Sequence, residues 1–213
     1  MALSKVDVES GGTGLVAAGA SGNVLTSDGT DWTSAAAAGG GAWTLIGTAV
    51  ASNSASLTIT GLDTSVYETF AIRCSNMVPA GDGLGMYFRL GDSGGIDSGA
   101  SDYAWIQWQG HTNSSGPNAS AGASASSILI DGYTGNDTGE NFSISATLSA
   151  PASGLNPHIH YEMSSHVNDH TKIVMIRGAS VRLAQMNVTQ IQCFMGSGNI
   201  TSGRFTVWGI AHA

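Results

Sequence analysis

Apolar and polar residues alternate along several short stretches of this chain, and this alternation constrains the fold more than any other feature. In Leu84–Leu90 and Phe142–Leu148, every second residue is apolar. Successive side chains of a β-strand point to opposite faces, so a period of two indicates a half-buried strand. Both stretches end near glycine, serine or asparagine, which favour turns. The pattern therefore predicts β-strands.

About eleven such strands are predicted after residue 42, and no stretch has a convincing helical period. The expected strands are Trp43–Ile46, Ser56–Thr60, Tyr67–Cys74, Leu84–Leu90, Tyr103–Trp108, Ser127–Ile130, Phe142–Leu148, Ile159–Met163, Lys172–Ile176, Val188–Met195 and Phe205–Ile210. Their spacing fits a two-sheet jelly roll better than a tight immunoglobulin domain, and no fixed repeat suggests a propeller or solenoid. The fold class is therefore all-β, with a jelly-roll-like β-sandwich over residues 43–213.

The first 42 residues have a different texture. Gly11–Ala35 is rich in glycine, serine, threonine and alanine, and Ala35–Gly41 reads as a hinge. Asp28-Gly29 is a strong turn signal, because glycine accepts the positive φ that such turns need. A segment like this has backbone hydrogen bonds to make and few side chains to shield them. We therefore expect an extended N-terminal arm that anchors the body, with these candidate contacts: Gly22, Asn23, Val24, Leu25, Asp28, Gly29 and Trp32.

The same segment carries a family resemblance. GGTG at Gly11–Gly14 and GNVLTSDGTDWTSA at Gly22–Ala35 resemble the N-terminal linker of many tailed-bacteriophage virion proteins, especially tail fibres and related surface proteins. The resemblance continues in short islands: Trp43–Ile46, Thr60–Asp63, Tyr67–Phe70, Asn76–Ala80, Arg89–Ser93, Asp97–Gly99 and Ser202–Ile210.

The resemblance implies a non-enzymatic structural protein on the virion surface, because this loose group carries no recognised catalytic motif. Two roles stay open. The first is a trimeric capsid decoration, cement or head-fibre protein whose arm binds other virion proteins such as the major capsid protein. The second is a short tail fibre or tip that binds the host surface, where a glycan is one candidate partner. A glycan depolymerase is a third, weaker alternative, because it would need two opposed carboxylates in a cleft.

Charge and length exclude several other classes. Only 10% of the 213 residues are charged, and 15 Asp and Glu against 7 Lys and Arg give a formal net charge of −8. Nucleic acid is thus not an expected partner, since phosphate binding needs clustered cations. The sequence contains no run of about 18 apolar residues, so membrane insertion is not expected. Met1–Asp7 lacks the apolar segment of a signal peptide, so synthesis in the host cytoplasm is expected.

Self-association is the expected remedy for a body with so few outward charges. Tyr103–Trp108 and Lys172–Ile176 would leave an apolar sheet face or edge exposed in a single copy. Viral jelly rolls commonly close as cyclic trimers, so we expect a homotrimer.

Histidines supply the one metal hypothesis, and otherwise no cofactor is expected. His158 and His160 form an H-x-H on a predicted strand, which places both imidazoles on one side. Three copies around a trimer axis would present six nitrogens to a transition metal. The alternative is that both histidines hydrogen-bond in a polar surface or subunit contact. His166 and His170 with Asp169 form a weaker alternative cluster.

Two long loops, Gly110–Ser126 and Asp131–Asn141, are expected to project from one end of the body. Four aromatic residues near them are candidates for contact with a glycan or a protein surface, although core packing is the simpler interpretation for at least two: Tyr103, Trp105, Trp108 and Tyr133. Cys74 and Cys193 lie in alternating apolar runs and are expected to be reduced core thiols.

Overall fold

The computed structural model describes residues 23–27, 32–36, 42–113, 116–132, 134–150, 152, 154–167 and 172–211. The chain divides into two compact units, Met1–Gly41 and Ala42–Ala213. All regular structure in these ranges is β-strand, which confirms the all-β prediction. Accordingly, no helix capable of spanning a membrane occurs in the described part of the chain.

The first unit contains a β-hairpin. Strand β1 (Asn23–Ser27) pairs antiparallel with β2 (Trp32–Ala36), from Asn23 opposite Ala36 to Ser27 opposite Trp32. These ten residues of the predicted arm thus form a hairpin, in which pairing within the segment satisfies backbone groups that an isolated strand would leave open. The anchoring role of the arm stays a prediction. Gly22, Asp28 and Gly29 of the predicted anchor lie outside the described residues.

The second unit contains thirteen strands. They are β3 (Trp43–Ser54), β4 (Ser56–Thr60), β5 (Thr69–Pro79), β6 (Met86–Asp92), β7 (Gly95–Ile96), β8 (Tyr103–His111), β9 (Asn118–Ala125), β10 (Ile128–Asp131), β11 (Asn141–Ser149), β12 (His158–Val167), β13 (Lys172–Arg182), β14 (Gln190–Met195) and β15 (Ile200–Ile210).

These strands form two antiparallel sheets. The larger sheet has the order β3-β15-β5-β11-β12-β13-β8-β9, and the smaller has the order β10-β6-β14-β4 with β7 beside β6. The chain crosses between the sheets at every step from β3 to β6, whereas β11, β12 and β13 follow one another as a meander. The last four strands of the larger sheet, β12, β13, β8 and β9, we call the extension.

Both sheets contribute to one hydrophobic core. Every second residue of β12 and β14 is buried, as the alternation predicts. Phe88 of β6 and Phe205 of β15 bring the sheets together, with ring centroids 6.1 Å apart. Cys74 of β5 and Cys193 of β14 are buried free thiols, which confirms that prediction. Burial raises the pKa of the Cys74 thiol well above its usual value, and a hydrogen bond with the Cys193 thiol adds to the shift.

All eleven predicted strands are present, most of them longer than expected, and one predicted loop contains a further strand. Asn118–Ala125 forms β9 within the stretch Gly110–Ser126 that the sequence favours as a loop. Its sequence, NASAGASA, has no apolar contrast between its two faces, so a period of two cannot be detected. Pairing with β8 forms the strand instead.

Candidate functional site

The outer face of the extension exposes several large apolar side chains, and we call it the extension face. Ile106 and Trp108 of β8 and Ile173 and Met175 of β13 point outward, and the last three are between 54% and 60% exposed. Their neighbours Gln107, Val174 and Ile176 are buried, so strand alternation alone determines which side chains reach this face. A contiguous apolar surface of this kind is typical of a contact with another protein.

An ion pair lies in the middle of the extension face. The Arg177 Nε atom donates to Glu162 Oε1 at 2.7 Å, and a second guanidinium nitrogen contacts the same oxygen. These two residues are directly opposite each other on β13 and β12, and Trp108 is opposite Arg177 on its other side. The hydrogen bond from Arg177 and its charge lower the pKa of the Glu162 carboxyl. The face is therefore close to neutral in its centre.

His158 and His160 are both exposed on the outer side of β12, at one end of the extension face. The predicted shared side is confirmed, because Ile159 between them is buried. Their opposite neighbours on β13 are Val181 and Ala179. Among the described residues of one chain, no three metal-ligand side chains form a group, so the proposed cage requires other copies and stays a prediction. Of the alternative cluster, His166 is half-buried on β12, and Asp169 and His170 lie outside the described residues.

The four candidate aromatic residues lie in different environments. A surface role is wrong for Tyr103, which is fully buried and whose hydroxyl accepts the Leu90 N–H at 2.9 Å. Trp105 is half-buried against the core and passes close to Gly122 of β9. Trp108 remains a candidate because it is 54% exposed on the extension face. Tyr133 lies outside the described residues.

A pocket that the sequence did not indicate opens at the end of the body where β8, β13 and the Asp131–Asn141 loop meet. It has a volume of about 400 Å³. The polar side chains that line it are Asp82, Gln109, His111, Thr134 and Lys172. The Nδ1 atom of His111 is buried without a hydrogen-bond partner among the described residues. Such a pocket can hold a small polar group.

A glycan depolymerase would draw its two opposed acids from the carboxylates of the body, among them Asp97, Asp102, Asp131 and Glu140. Arg182 binds Asp97 Oδ2 through Nε at 2.7 Å and lies 3.3 Å from Asp102 Oδ1. The remaining two, Asp131 and Glu140, are 0% and 3% exposed. A pair of carboxylates that hydrolyses a glycan has to meet its substrate in an open cleft, so these four are poor candidates for catalysis.

The comparisons with known proteins add no assignment to this geometry. No protein-family profile matches the chain, and neither the curated proteins nor the solved structures contain a significant match.

Proposed function

We propose that this protein is a non-enzymatic structural component of a tailed-phage virion, a trimeric capsid decoration or cement protein attached by residues 1–42. The GGTG and GNVLTSDGTDWTSA segments support the phage assignment, since both resemble the linkers of such proteins. The hairpin formed by β1 and β2 falls within this segment. Its role as an anchor follows from the resemblance.

Strand order supports a jelly roll as the fold of the body. An eight-stranded jelly roll interleaves two Greek keys in two sheets. The orders β3-β15-β5-β11 and β4-β14-β6-β10 have this interleaving. The first and last strands of the body, β3 and β15, pair with each other, and the middle strands β11 and β10 come last in the two orders. In this interpretation β8–β9 and β12–β13 are insertions that widen one sheet. Jelly rolls of this size are common in viral capsids.

The observation that carries the proposal is the extension face. Ile106, Trp108, Ile173 and Met175 expose apolar surface around the neutral pair of Glu162 and Arg177. Further copies of this chain are the occupants that we propose. Around a threefold axis, the face of each copy would contact the faces of its two neighbours, and a face without net charge makes that contact without repulsion. Three copies that bury this face would form the trimer and bring the His158 and His160 ends of their sheets to the contact region.

The oligomeric state tests this proposal. We expect the full-length protein to be a trimer by light scattering, and the double variant Ile106→Glu/Met175→Glu to be a monomer at the same concentration. Val66→Glu is the matched control, because Val66 is 59% exposed and lies in the turn after β4. Unchanged thermal unfolding of the control would exclude a general effect of added charge. A monomeric wild-type protein would contradict the trimer.

Particle stoichiometry separates the two virion roles. Many tens to hundreds of copies per purified particle would place the protein on the capsid, and a few tens or fewer would place it on the tail. Removing residues 1–41 is expected to leave a body that no longer joins particles. Equal incorporation of the truncated protein would contradict the anchor.

A short tail tip that binds the host surface is the alternative, and the end pocket favours it. His111, Lys172 and Asp82 offer hydrogen bonds and charge in a concave site formed by strand ends and loops. Loops that a rigid scaffold positions commonly carry binding residues. Loss of adsorption to host cells in Lys172→Gln particles, with normal particle assembly, would favour this role.

A further inference from the structure

Two arginines of the larger sheet have no acidic partner among the described residues. Arg177 pairs with Glu162, Arg182 pairs with Asp97 and Asp102, and Arg89 donates to the Ser126 carbonyl. The side chains of Arg73 and Arg204, in contrast, make no hydrogen bond or ion pair with any residue in the described part of the chain. Acidic residues outnumber basic ones by 15 to 7. Two arginines without a carboxylate are therefore unexpected in this composition.

These two arginines are neighbours on the outer face of adjacent strands. Arg73 of β5 is opposite Thr206 of β15, and Arg204 of β15 is opposite Ser75 of β5. The arginines are thus diagonal neighbours, a relation that places Cβ atoms roughly 7–8 Å apart in antiparallel sheets. Like charges at this spacing repel each other, and a bound anion removes the repulsion. The pair lies outside the extension, on the half of the sheet formed by β3, β15, β5 and β11.

An open hollow of about 580 Å³ surrounds the pair. Its lining has no acidic residue; hydroxyls come from Thr48, Ser75, Ser143 and Thr206, and apolar walls come from Leu45 and Trp208. The Trp208 ring lies 6.1 Å from the exposed ring of Trp43. The hollow thus combines two cations, several hydroxyls and an aromatic wall.

We infer that this hollow binds a saccharide that carries a carboxylate, with Arg73 and Arg204 as the groups that bind the anion. A guanidinium matches a carboxylate with two parallel hydrogen bonds. The serine and threonine hydroxyls both donate and accept, as sugar hydroxyls require. Trp208 offers the flat apolar surface on which a sugar ring can lie.

An acidic peptide fits this hollow less well. Extended peptides gain much of their affinity by adding a strand to a free sheet edge. Here the backbone groups of β5 and β15 are already paired on both sides, with β11 and β3, so a peptide could use side-chain contacts only. The inference goes beyond the virion role and does not depend on it, because it concerns the isolated body.

Titration calorimetry of the full-length protein at low salt tests the inference. The probes are oligogalacturonate, an alginate oligomer and sialyllactose, and each is compared with its carboxyl methyl ester, which keeps the rings and removes the charge. We expect at least one acid to bind, and its ester to bind at least about tenfold more weakly, since a charge-assisted hydrogen bond contributes at least that much. Polyglutamate is the peptide probe.

Variants locate the site. Arg73→Gln/Arg204→Gln is expected to weaken binding at least about tenfold, as the ester does. Arg177→Gln is the control, because it removes one arginine charge from the same sheet face, at a site where Glu162 already pairs with the guanidinium. Its affinity should stay within about twofold of the wild-type value.

Four outcomes would overturn the inference: no binding of any acid, equal binding of acid and ester, equal loss in all variants, or tighter binding of polyglutamate. The comparison of acid with ester needs the wild-type protein only. This experiment measures no particle or oligomer, so a failure to bind the saccharide leaves the virion proposal intact. Conversely, a monomeric protein that binds the acid would contradict the trimer and support the saccharide site.

Discussion

Tyr161 connects the two sheets of the body through a space that only glycine leaves open. It lies on β12 directly opposite Gly178 of β13. Its hydroxyl reaches over that glycine to the Gln107 side chain at 3.1 Å, and it donates to the Leu129 carbonyl of the smaller sheet at 2.9 Å. A Cβ atom added at Gly178 would lie 2.3 Å from the Tyr161 hydroxyl oxygen. This contact between the sheets therefore depends on residue 178 being glycine.

Gly178→Ala is expected to lower the free energy of unfolding by about 1–3 kcal/mol, because the ring has to move and its hydrogen bonds are strained. Gly110→Ala is the control on a neighbouring strand, since a Cβ atom there meets nothing within 4 Å. Urea unfolding of both variants measures the difference. Equal stability of the two would show that Tyr161 adjusts without cost.

Tyr103 predicts how stability responds to alkaline pH. Burial raises the pKa of Tyr103 to about 12, and burial also raises the pKa of Tyr161. An unfolded tyrosine loses its proton near pH 10, so between about pH 10 and 12 the unfolded state binds fewer protons than the folded state. The contribution of Tyr103 to stability is therefore fully present below pH 10 and is lost as pH rises through 12.

Tyr103→Phe should cost about 1–3 kcal/mol at pH 8, because the Leu90 N–H is left without its partner. It should also make the decline above pH 10 shallower, with the remainder due to Tyr161 and Cys74, whose pKa values burial also raises. Urea unfolding at pH 8 and pH 11 checks both effects, and an unchanged slope would contradict the assignment.

Strands of the larger sheet differ in whether one or both of their edges pair with a neighbouring strand. β12 lies between β11 and β13 along its full length, whereas β9 pairs with β8 on one side and carries only small or polar side chains. Edge strands with few apolar contacts open locally at low cost. The outer half of the extension should thus be the least protected part of the larger sheet.

Hydrogen exchange measures this difference. We expect amide protons of β9 to exchange at least about a hundredfold faster than those of β12, since local opening exposes an edge long before a central strand. Two strands of the same sheet serve as control for each other. Similar protection of both would mean that another chain covers the edge of β9.

At the scale of the whole molecule, the two thiols report on cooperative unfolding. Cys74 and Cys193 are buried in the core shared by both sheets, and a raised pKa keeps Cys74 in the unreactive thiol form. We expect a thiol reagent to label neither cysteine in the native protein and both in denaturant. Cys74→Ala should then give one labelled thiol, and rapid labelling of the native protein would contradict a closed core.

How far the sequence could predict this molecule depends on the range of the interaction. The alternation in Leu84–Leu90 predicts β6, because it depends only on residues that are close in sequence. In contrast, β9 has no apolar signal, and Tyr103 is buried because its hydroxyl is satisfied by Leu90, which depends on the tertiary fold. The pairing of Arg73 with Arg204 follows from the register of β5 against β15, which no local pattern encodes. Similarly, the end pocket combines residues from separate loops and strands.

The pairing of β3 with β15 has a practical consequence for anyone who wishes to attach a cargo. The Ala211 N–H donates to the Ala42 carbonyl at 2.9 Å, so the body begins and ends at the same place. Joining these two positions by a short peptide and opening the chain at an exposed loop tip should give a rearranged gene product that still folds, because neighbouring ends favour such permutation. A fluorescent label fused after Ala211 would lie beside Ala42, where the N-terminal arm joins the body. An exposed loop such as the one that contains Leu155 is therefore the better place for a tag.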